Sequence, residues 1–240
     1  RAGPDDDDVV LHHIAFGHRS PRSSAAIVAV SCTFGNNRRM LSVFSADTDQ
    51  GIPAIGDGLC YAQRFLASDE ADALLLELSA QVPWRQSEIR MYGRVVREPR
   101  LSCWMGDPDA VYRYSGTVFR PVPWIEPVSR LKRAVETACD HRFNSVLLNH
   151  YRDGRDAMGW HSDDEPELGE QPVIASVSLG GVRRFLLREK RKGARSVGLH
   201  LAHGSLLLMH GELQERYQHA LPRTAKPVGA RINLTFRKIL

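Results

Sequence analysis

The chain has 240 residues, with 32 Lys and Arg against 28 Asp and Glu, for a formal charge of +4 at neutral pH. It is long enough to bury a sizeable core in one domain, and its charge is too mild for the net value to argue a nucleic-acid partner, so the distribution of charge must decide. No run of about 18 apolar residues is present, RAGPDDDD lacks a signal peptide's apolar middle, and Cys32, Cys60, Cys103 and Cys139 form no CxxC pair, which argues against a membrane span, a zinc knuckle and a dense disulfide framework.

Residues 1–56 read as an N-terminal extension, partly ordered, with IVAVSCTF from Ile27 as a candidate strand among Gly, Asn, Asp and Pro. Residues 67–84 read as a helix: Ser68 is a plausible N-cap, acids follow it, and Leu74, Leu75 and Leu78 fall along one side. SEIRMYGRVV is strand-like, PRLSCWMGDPD is an aromatic loop, and VYRYSG is a short strand with Tyr112 and Tyr114 on one face. A second helix is expected from Pro127 to His141, where Val128, Leu131, Val135 and Ala138 recur at spacings of three and four. From residue 143 the texture changes to FNSVLLNHY, PVIASVSLG, RRFLLRE, SVGLHLA, SLLLMH and RINLTFRKI, separated by Gly, Pro or charged turns. Six short strands after two helices argue for a mainly β (α+β) fold, a sandwich or jelly roll with helical support on one side.

The stretch MGWHSDDE places His161 and Asp163 two residues apart, where an extended or turning backbone presents both to one ion. His219, in ERYQHALP, offers a third ligand. Two histidines and one carboxylate leave open positions on a non-haem Fe(II), although zinc in a hydrolase can use the same donors. The last strand separates these readings. Arg231, Asn233, Thr235 and Arg237 alternate with Ile232, Leu234 and Phe236, so four polar side chains share one face. That face suits either a solvated edge strand or an inward-facing strand whose guanidinium groups grip a dicarboxylate. Asn149 and Tyr151 share another period-two face and are placed to donate hydrogen bonds to the same molecule.

With NHY at 149–151, WHSDDE at 160–165, His219 in QHALP and RINLTFR at 231–237, the chain resembles the AlkB family of Fe(II)- and 2-oxoglutarate-dependent dioxygenases, most closely its eukaryotic-type alkylation-repair branch. The resemblance covers roughly residues 59–240 and implies a double-stranded β-helix (jelly roll). Its catalytic core would span 143–240, behind supporting helices and a nucleotide-recognition lid at 57–142, with 57–240 folding as one unit. It implies Fe(II) held by His161, Asp163 and His219, and 2-oxoglutarate held by Arg231 at its distal carboxylate, by Asn149 and Tyr151, and by Asn233 and Arg237. Dioxygen is the co-oxidant. The substrate implied is alkylated DNA, single- or double-stranded, carrying 1-methyladenine or 3-methylcytosine. An RNA demethylase with the same iron centre is the neighbouring reading, and a non-catalytic nucleic-acid-binding jelly roll the distant one.

A methyl group on the Watson–Crick edge is buried in a duplex, so such chemistry needs a single strand or a flipped base. Trp104, Tyr112 and Tyr114 lie where the family builds its lid, and serve either as stacking platforms or as packing. Glu165 matches the family acid that reads the exocyclic amino group of the lesion. In RRFLLREKRKGAR, two strands are expected around a turn near Gly193, with Lys190, Arg191 and Lys192 at the tip as phosphate contacts or a solvated hairpin. Met105 is the one candidate for a wedge in a vacated stack. His200, His203 and His210 read as structural. A monomer in an intracellular compartment, cytoplasmic or nuclear, is expected.

Overall fold

A computed structural model describes residues 58–91, 94–114 and 117–240, with backbone alone for 89–91, 94, 112–114 and 117–119. The extension and its candidate strand from Ile27 lie outside the described residues. In chain order the elements are β1 (Leu59–Ala62), α1 (Ser68–Gln81), β2 (Glu88–Met91), β3 (Arg94–Arg97), β4 (Leu101–Gly106), β5 (Tyr112–Tyr114), β6 (Thr117–Phe119) and α2 (Glu126–Cys139). There follow β7 (Ser145–Tyr151), β8 (Met158–His161), β9 (Ile174–Gly180), β10 (Arg183–Glu189), β11 (Val197–Leu201), β12 (Ser205–Met209), α3 (Leu213–Arg216), β13 (Tyr217–Leu221) and β14 (Arg231–Arg237).

Two antiparallel sheets carry the fold. The larger has the order β1-β12-β9-β14-β7-β4 and the smaller β11-β10-β13-β8, while β2-β3 and β5-β6 form separate hairpins. This is the jelly-roll architecture expected. The larger sheet takes both its edge strands, β1 and β4, from before residue 143.

Helix α1 buries Ala71, Leu74 and Leu78, one stripe at helical spacing. Ser68 is its first residue and Ala67 the cap position, so no side chain closes this end, and Asp69 and Glu70 favour it through the helix dipole alone. The helix stops at Gln81 because Val82, preceding Pro83, is held extended. In α2 the expected Val128, Leu131, Val135 and Ala138 are all buried, Pro127 sits in the first turn, and Asp140 ends the helix in a left-handed conformation (φ 47°).

Both helices cover one face of the larger sheet. Val146 and Leu148 of β7, Val177 and Leu179 of β9, and Ile232, Leu234 and Phe236 of β14 pack into that layer. Ile174, Phe185, Leu187, Leu199, Leu201, Leu207 and Met209 fill the space between the sheets. Strand β14 is central, paired with β7 on one side and β9 on the other, and its first six residues are buried. The solvated-edge reading of its polar face is therefore wrong, because Arg231, Asn233, Thr235 and Arg237 point between the sheets.

Two other expectations need correcting. PRLSCWMGDPD is not a loop: residues 101–106 form β4, paired with β7 from Leu101↔His150 to Gly106↔Ser145. Within it Met105 is fully buried in the helix-side layer, so it cannot fill a vacated base stack. Among the described residues no helix is long and apolar enough to cross a membrane.

Candidate metal and co-substrate site

The two candidate ligand histidines stand on neighbouring strands of the smaller sheet. His161 ends β8 and lies directly opposite His219 of β13, their ring centroids 4.2 Å apart. Asp163 follows two residues after His161, past the end of the strand. One ligand atom from each of the three residues falls within 4.8 Å of the others. Asp163 and His219 are buried and His161 is half-buried, so the cluster opens on one side. The donor set, two imidazole nitrogens and one carboxylate, fits Fe(II) with open positions.

The surroundings fix each ligand. The His161 Nδ1 lies 2.9 Å from the Gly159 carbonyl, which can only accept, so Nδ1 is the donor and Nε2 is the nitrogen left to serve as a ligand. The Ser162 hydroxyl donates to the Tyr217 carbonyl at 2.9 Å, tying the ligand loop to β13. The backbone N–H of Asp163 donates to Gln214 Oε1 at 3.0 Å, and Arg237 pairs with the Asp163 carboxylate. Burial pushes the pKa of His219 down to about 4, keeping it a neutral ligand. For Asp163, burial opposes ionisation, but Arg237 and the two imidazoles outweigh it and hold the carboxyl below its ordinary range.

The cluster sits in a cleft of about 480 Å³, counting its open mouth, between the two sheets. All eight residues expected to hold the metal and co-substrate line it: Asn149, Tyr151, His161, Asp163, His219, Arg231, Asn233 and Arg237. Strand pairing explains the convergence, since Tyr151 stands opposite Arg231 and Asn149 opposite Asn233 in the β7–β14 register.

Arg231 is fully buried. Its Nη2 donates to Ser178 Oγ at 2.9 Å and to Asn233 Oδ1 at 2.6 Å, while its Nε has no partner. Burial brings the Arg231 pKa down to about 10, so the group remains charged at neutral pH. The Nε of Arg237 is likewise buried and unpartnered. Buried donors without a protein partner cost free energy unless an acceptor arrives, and a dicarboxylate supplies such acceptors. Asn233 is partly committed elsewhere. Its Oδ1 also accepts from Ser176 at 3.1 Å and its Nδ2 donates to Thr235 at 2.8 Å, so much of its role is to hold Arg231.

Arg100 and Gln214 escaped the reading of the sequence. Arg100 Nε donates to Asn149 Oδ1 at 2.8 Å and its Nη2 to Glu98 Oε1 at 2.7 Å. This occupies the carbonyl oxygen of Asn149 and turns its NH₂ donors toward the cleft. Neither residue stands in a motif or a periodic pattern, and no local signal could have found them.

The expected substrate contacts are less gathered. Trp104, opposite Leu147 in β4, is half-buried and packs against the layer between the sheets. Tyr112 and Tyr114 occupy one short strand, but their side chains lie outside what the structure describes. Glu165 follows Asp163 by two residues. Its Oε2 is buried without a partner, and burial raises its pKa despite Arg237 nearby. At the hairpin after β10, Lys190 pairs with Asp164 at 2.8 Å, Arg191 pairs with Glu189, and Lys192 is exposed. The turn passes through Gly193 (φ 78°), as expected. His203 is structural: its Nδ1 accepts the Gly180 N–H at 2.7 Å.

The model of the 2OG-Fe(II) oxygenase superfamily matches residues 58–237. The alpha-ketoglutarate-dependent dioxygenase alkB homolog 3 of Homo sapiens is 38% identical over 190 residues, covering 75% of this chain and 66% of that protein. The DNA oxidative demethylase ALKBH2 of Homo sapiens is 39% identical over 181 residues, covering 71% of this chain and 69% of that protein. The chain thus spans about two thirds of these relatives. In fold it is similar to a solved structure described as "The structure of OsALKBH1", with a TM-score of 0.52 at 17% identity, covering 75% of this chain and 96% of that one.

Proposed function

The chain belongs to the 2OG-Fe(II) oxygenase superfamily, among its AlkB homologues, and we propose that it oxidatively demethylates N-alkylated bases of DNA, 1-methyladenine and 3-methylcytosine in type. The observation that carries this reading is the meeting, in one cleft, of a two-histidine, one-carboxylate cluster with a buried arginine whose Nε has no partner. A zinc hydrolase would use the cluster but has no need of the arginine.

His161, Asp163 and His219 would hold Fe(II), Asp163 as the carboxylate and His219 as the neutral imidazole that their surroundings favour. Arg231 would take the distal carboxylate of 2-oxoglutarate, with Asn149 and Tyr151 donating hydrogen bonds and Asn233 keeping Arg231 in place. Arg237 would serve the chelating end beside Asp163. When bound, Fe(II) with 2-oxoglutarate and dioxygen supplies the oxidising power that hydroxylates an N-linked methyl carbon, with succinate and carbon dioxide as co-products. The hydroxymethyl group then leaves as formaldehyde.

The protein's own work is binding, orientation and exclusion of water. Glu165 would accept from the exocyclic amino group of the lesion, its buried oxygen being free to do so. A ring methylated at N1 of adenine or N3 of cytosine is cationic, which favours a carboxylate beside it. Trp104, Tyr112 and Tyr114, in a lid drawn from residues 57–142, would stack the displaced base, and the imidazole of His161 would cover its other face. Lys192, with Lys190 and Arg191, would meet the phosphates and make binding salt-dependent. The chain is taken to act as a monomer.

The test is release of formaldehyde and succinate by the Fe(II) protein given 2-oxoglutarate, air and oligonucleotides carrying either lesion in single-stranded DNA, duplex DNA or RNA. Stoichiometric release on DNA, abolished in Asp163→Ala, is expected. Release on RNA alone would move the activity to RNA, and no release on any of them would remove the demethylase reading.

A further inference from the structure

Behind the co-substrate end of the cleft lies a second buried guanidinium that does not line it. Arg183, the first residue of β10, is 2% exposed. It donates to three backbone carbonyls and to no carboxylate: Nη1 to Asp153 O at 3.1 Å, Nη2 to Asp156 O at 2.9 Å and to Pro222 O at 2.7 Å. Its guanidinium carbon stands 5.8 Å from the ring of Tyr151, and that of Arg231 stands 5.3 Å from the same ring. Tyr151 is 4% exposed, so this buried phenol has two cations against its ring.

The arrangement is costly on its own. Neither guanidinium has a carboxylate within ion-pair distance among the described residues, where Arg100, Arg152 and Arg237 each have one. A buried charge without a counter-ion is normally neutralised by a partner, removed, or kept for a ligand of opposite sign. Satisfying its donors with backbone carbonyls solves the hydrogen bonding of Arg183, while the carboxylates of Asp156 and Asp153, beyond ion-pair distance, offset its charge only in part. Those carbonyls belong to the loops that follow β7 and β13, so one side chain also ties together the two loops closing this end of the sheets.

We propose that Arg183 is a positioning residue for the co-substrate: it fixes the ring of Tyr151 from behind and adds a second positive charge at the Arg231 end, so that a dicarboxylic 2-oxo acid is selected over a monocarboxylic one. It acts through Tyr151 and through its field, without touching the ligand. The inference rests on the proposed assignment of Arg231 to the distal carboxylate.

The 240-residue chain loaded with Mn(II) is titrated calorimetrically with 2-oxoglutarate and with 2-oxopentanoate, which chelates the metal alike but lacks the distal carboxylate. In Arg183→Met the dissociation constant for 2-oxoglutarate is expected to rise roughly 10- to 100-fold, as for other outer-shell partners. That for 2-oxopentanoate should change by less than about threefold, and Arg183→Lys, which keeps the charge but not the three hydrogen bonds, should lie between. The idea is overturned if Arg183→Met binds 2-oxoglutarate within about twofold of the parent, if both acids weaken equally, or if Arg183→Lys is no better than Arg183→Met. Should Arg183→Met not fold, Arg183→Lys against the two acids decides by the same selectivity. No nucleic acid enters the experiment, so a parent that binds 2-oxoglutarate yet demethylates nothing sinks the proposed function alone. A parent that binds no 2-oxoglutarate sinks both.

Discussion

Gln214→Leu tests whether Asp163, the proposed metal carboxylate, is held by the fold or merely lies near its histidines. Gln214 is 1% exposed on the short helix before β13, and its Oε1 takes the backbone N–H of Asp163 at 3.0 Å. Leucine is close in volume, so the change removes the acceptor without opening a large cavity, apart from the weak contact of Nε2 with the Met209 sulfur at 3.6 Å. A buried N–H left without a partner costs about 1–3 kcal/mol. Loss of an outer-shell partner weakens metal binding by roughly 10- to 100-fold. Urea unfolding of the metal-free and Mn(II)-saturated proteins separates the two effects, because a ligand of the native state adds RT ln(1 + [L]/Kd). The metal-free variant should lose about 1–3 kcal/mol, and the increment from metal should shrink by a further 1.4–2.7 kcal/mol or so. An unchanged metal increment would refute the positioning argument even if stability fell, since Gln214 would then be core packing and nothing more.

The metal-free protein should weaken on mild acidification. Unfolded His219 titrates near 6.5 and folded His219 near 4, so between these values the unfolded chain holds the extra proton, and stability present above 6.5 is lost as the pH falls. At 1.36 kcal/mol per pH unit this is on the order of 3 kcal/mol, read from urea midpoints against pH, and it should vanish in His219→Gln. Gly180→Ala should cost about 2 kcal/mol or more in thermal unfolding, because φ is +84° and an added Cβ would lie 2.3 Å from the Ala230 carbonyl oxygen. Gly159→Ala, with no atom within 4 Å of the added carbon, should be nearly neutral, and equal losses would discount the close approach. Met105→Ala should destabilise by about 2–5 kcal/mol, whereas Leu76→Ala, 73% exposed, should change stability by less than about 0.5 kcal/mol. A neutral Met105→Ala would reopen its reading as a surface residue.

What could be read from the sequence follows from how local each signal is. The helices declared themselves through Leu74 with Leu78 and Val128 with Leu131, and the polar face of β14 through strict alternation. Six strands after residue 143 were legible because each carries a run of apolar residues. The two that were missed, MGWH and YQHAL, are the two that carry His161 and His219. Polar residues in the cleft, His161 and His219 among them, replace the apolar ones that would advertise a strand, so the pattern fails where the candidate site lies. Strand β4 was read as a loop because Trp, Met, Gly and Asp-Pro look like punctuation, and only pairing with β7 makes it extended. Arg100, Gln214 and Arg183 were illegible in principle. Each acts on a site residue 49 or 51 positions away, or on backbone carbonyls 27–39 positions away, and no local pattern encodes such a distance.

The distribution of charge along the cleft ties the fold to the reaction. At the metal end Asp163 is matched by Arg237 and two imidazoles, a nearly neutral set that becomes cationic only when a divalent metal enters. At the other end Arg231 and Arg183 flank Tyr151, and among the described residues neither has a carboxylate within ion-pair distance. A dianion bridging the two ends cancels the excess at both, so binding of metal and of co-substrate should be mutually reinforcing. The strength of that coupling is itself measurable, as the factor by which Mn(II) tightens 2-oxoglutarate. By linkage the same factor must appear when 2-oxoglutarate tightens Mn(II). A factor close to one, in either direction, would mean that the two ends of the cleft do not act on one ligand. The helix-covered larger sheet gives this polar interior the rigid wall it needs, since β14 can carry four polar side chains inward only because its three apolar ones are anchored on the opposite face.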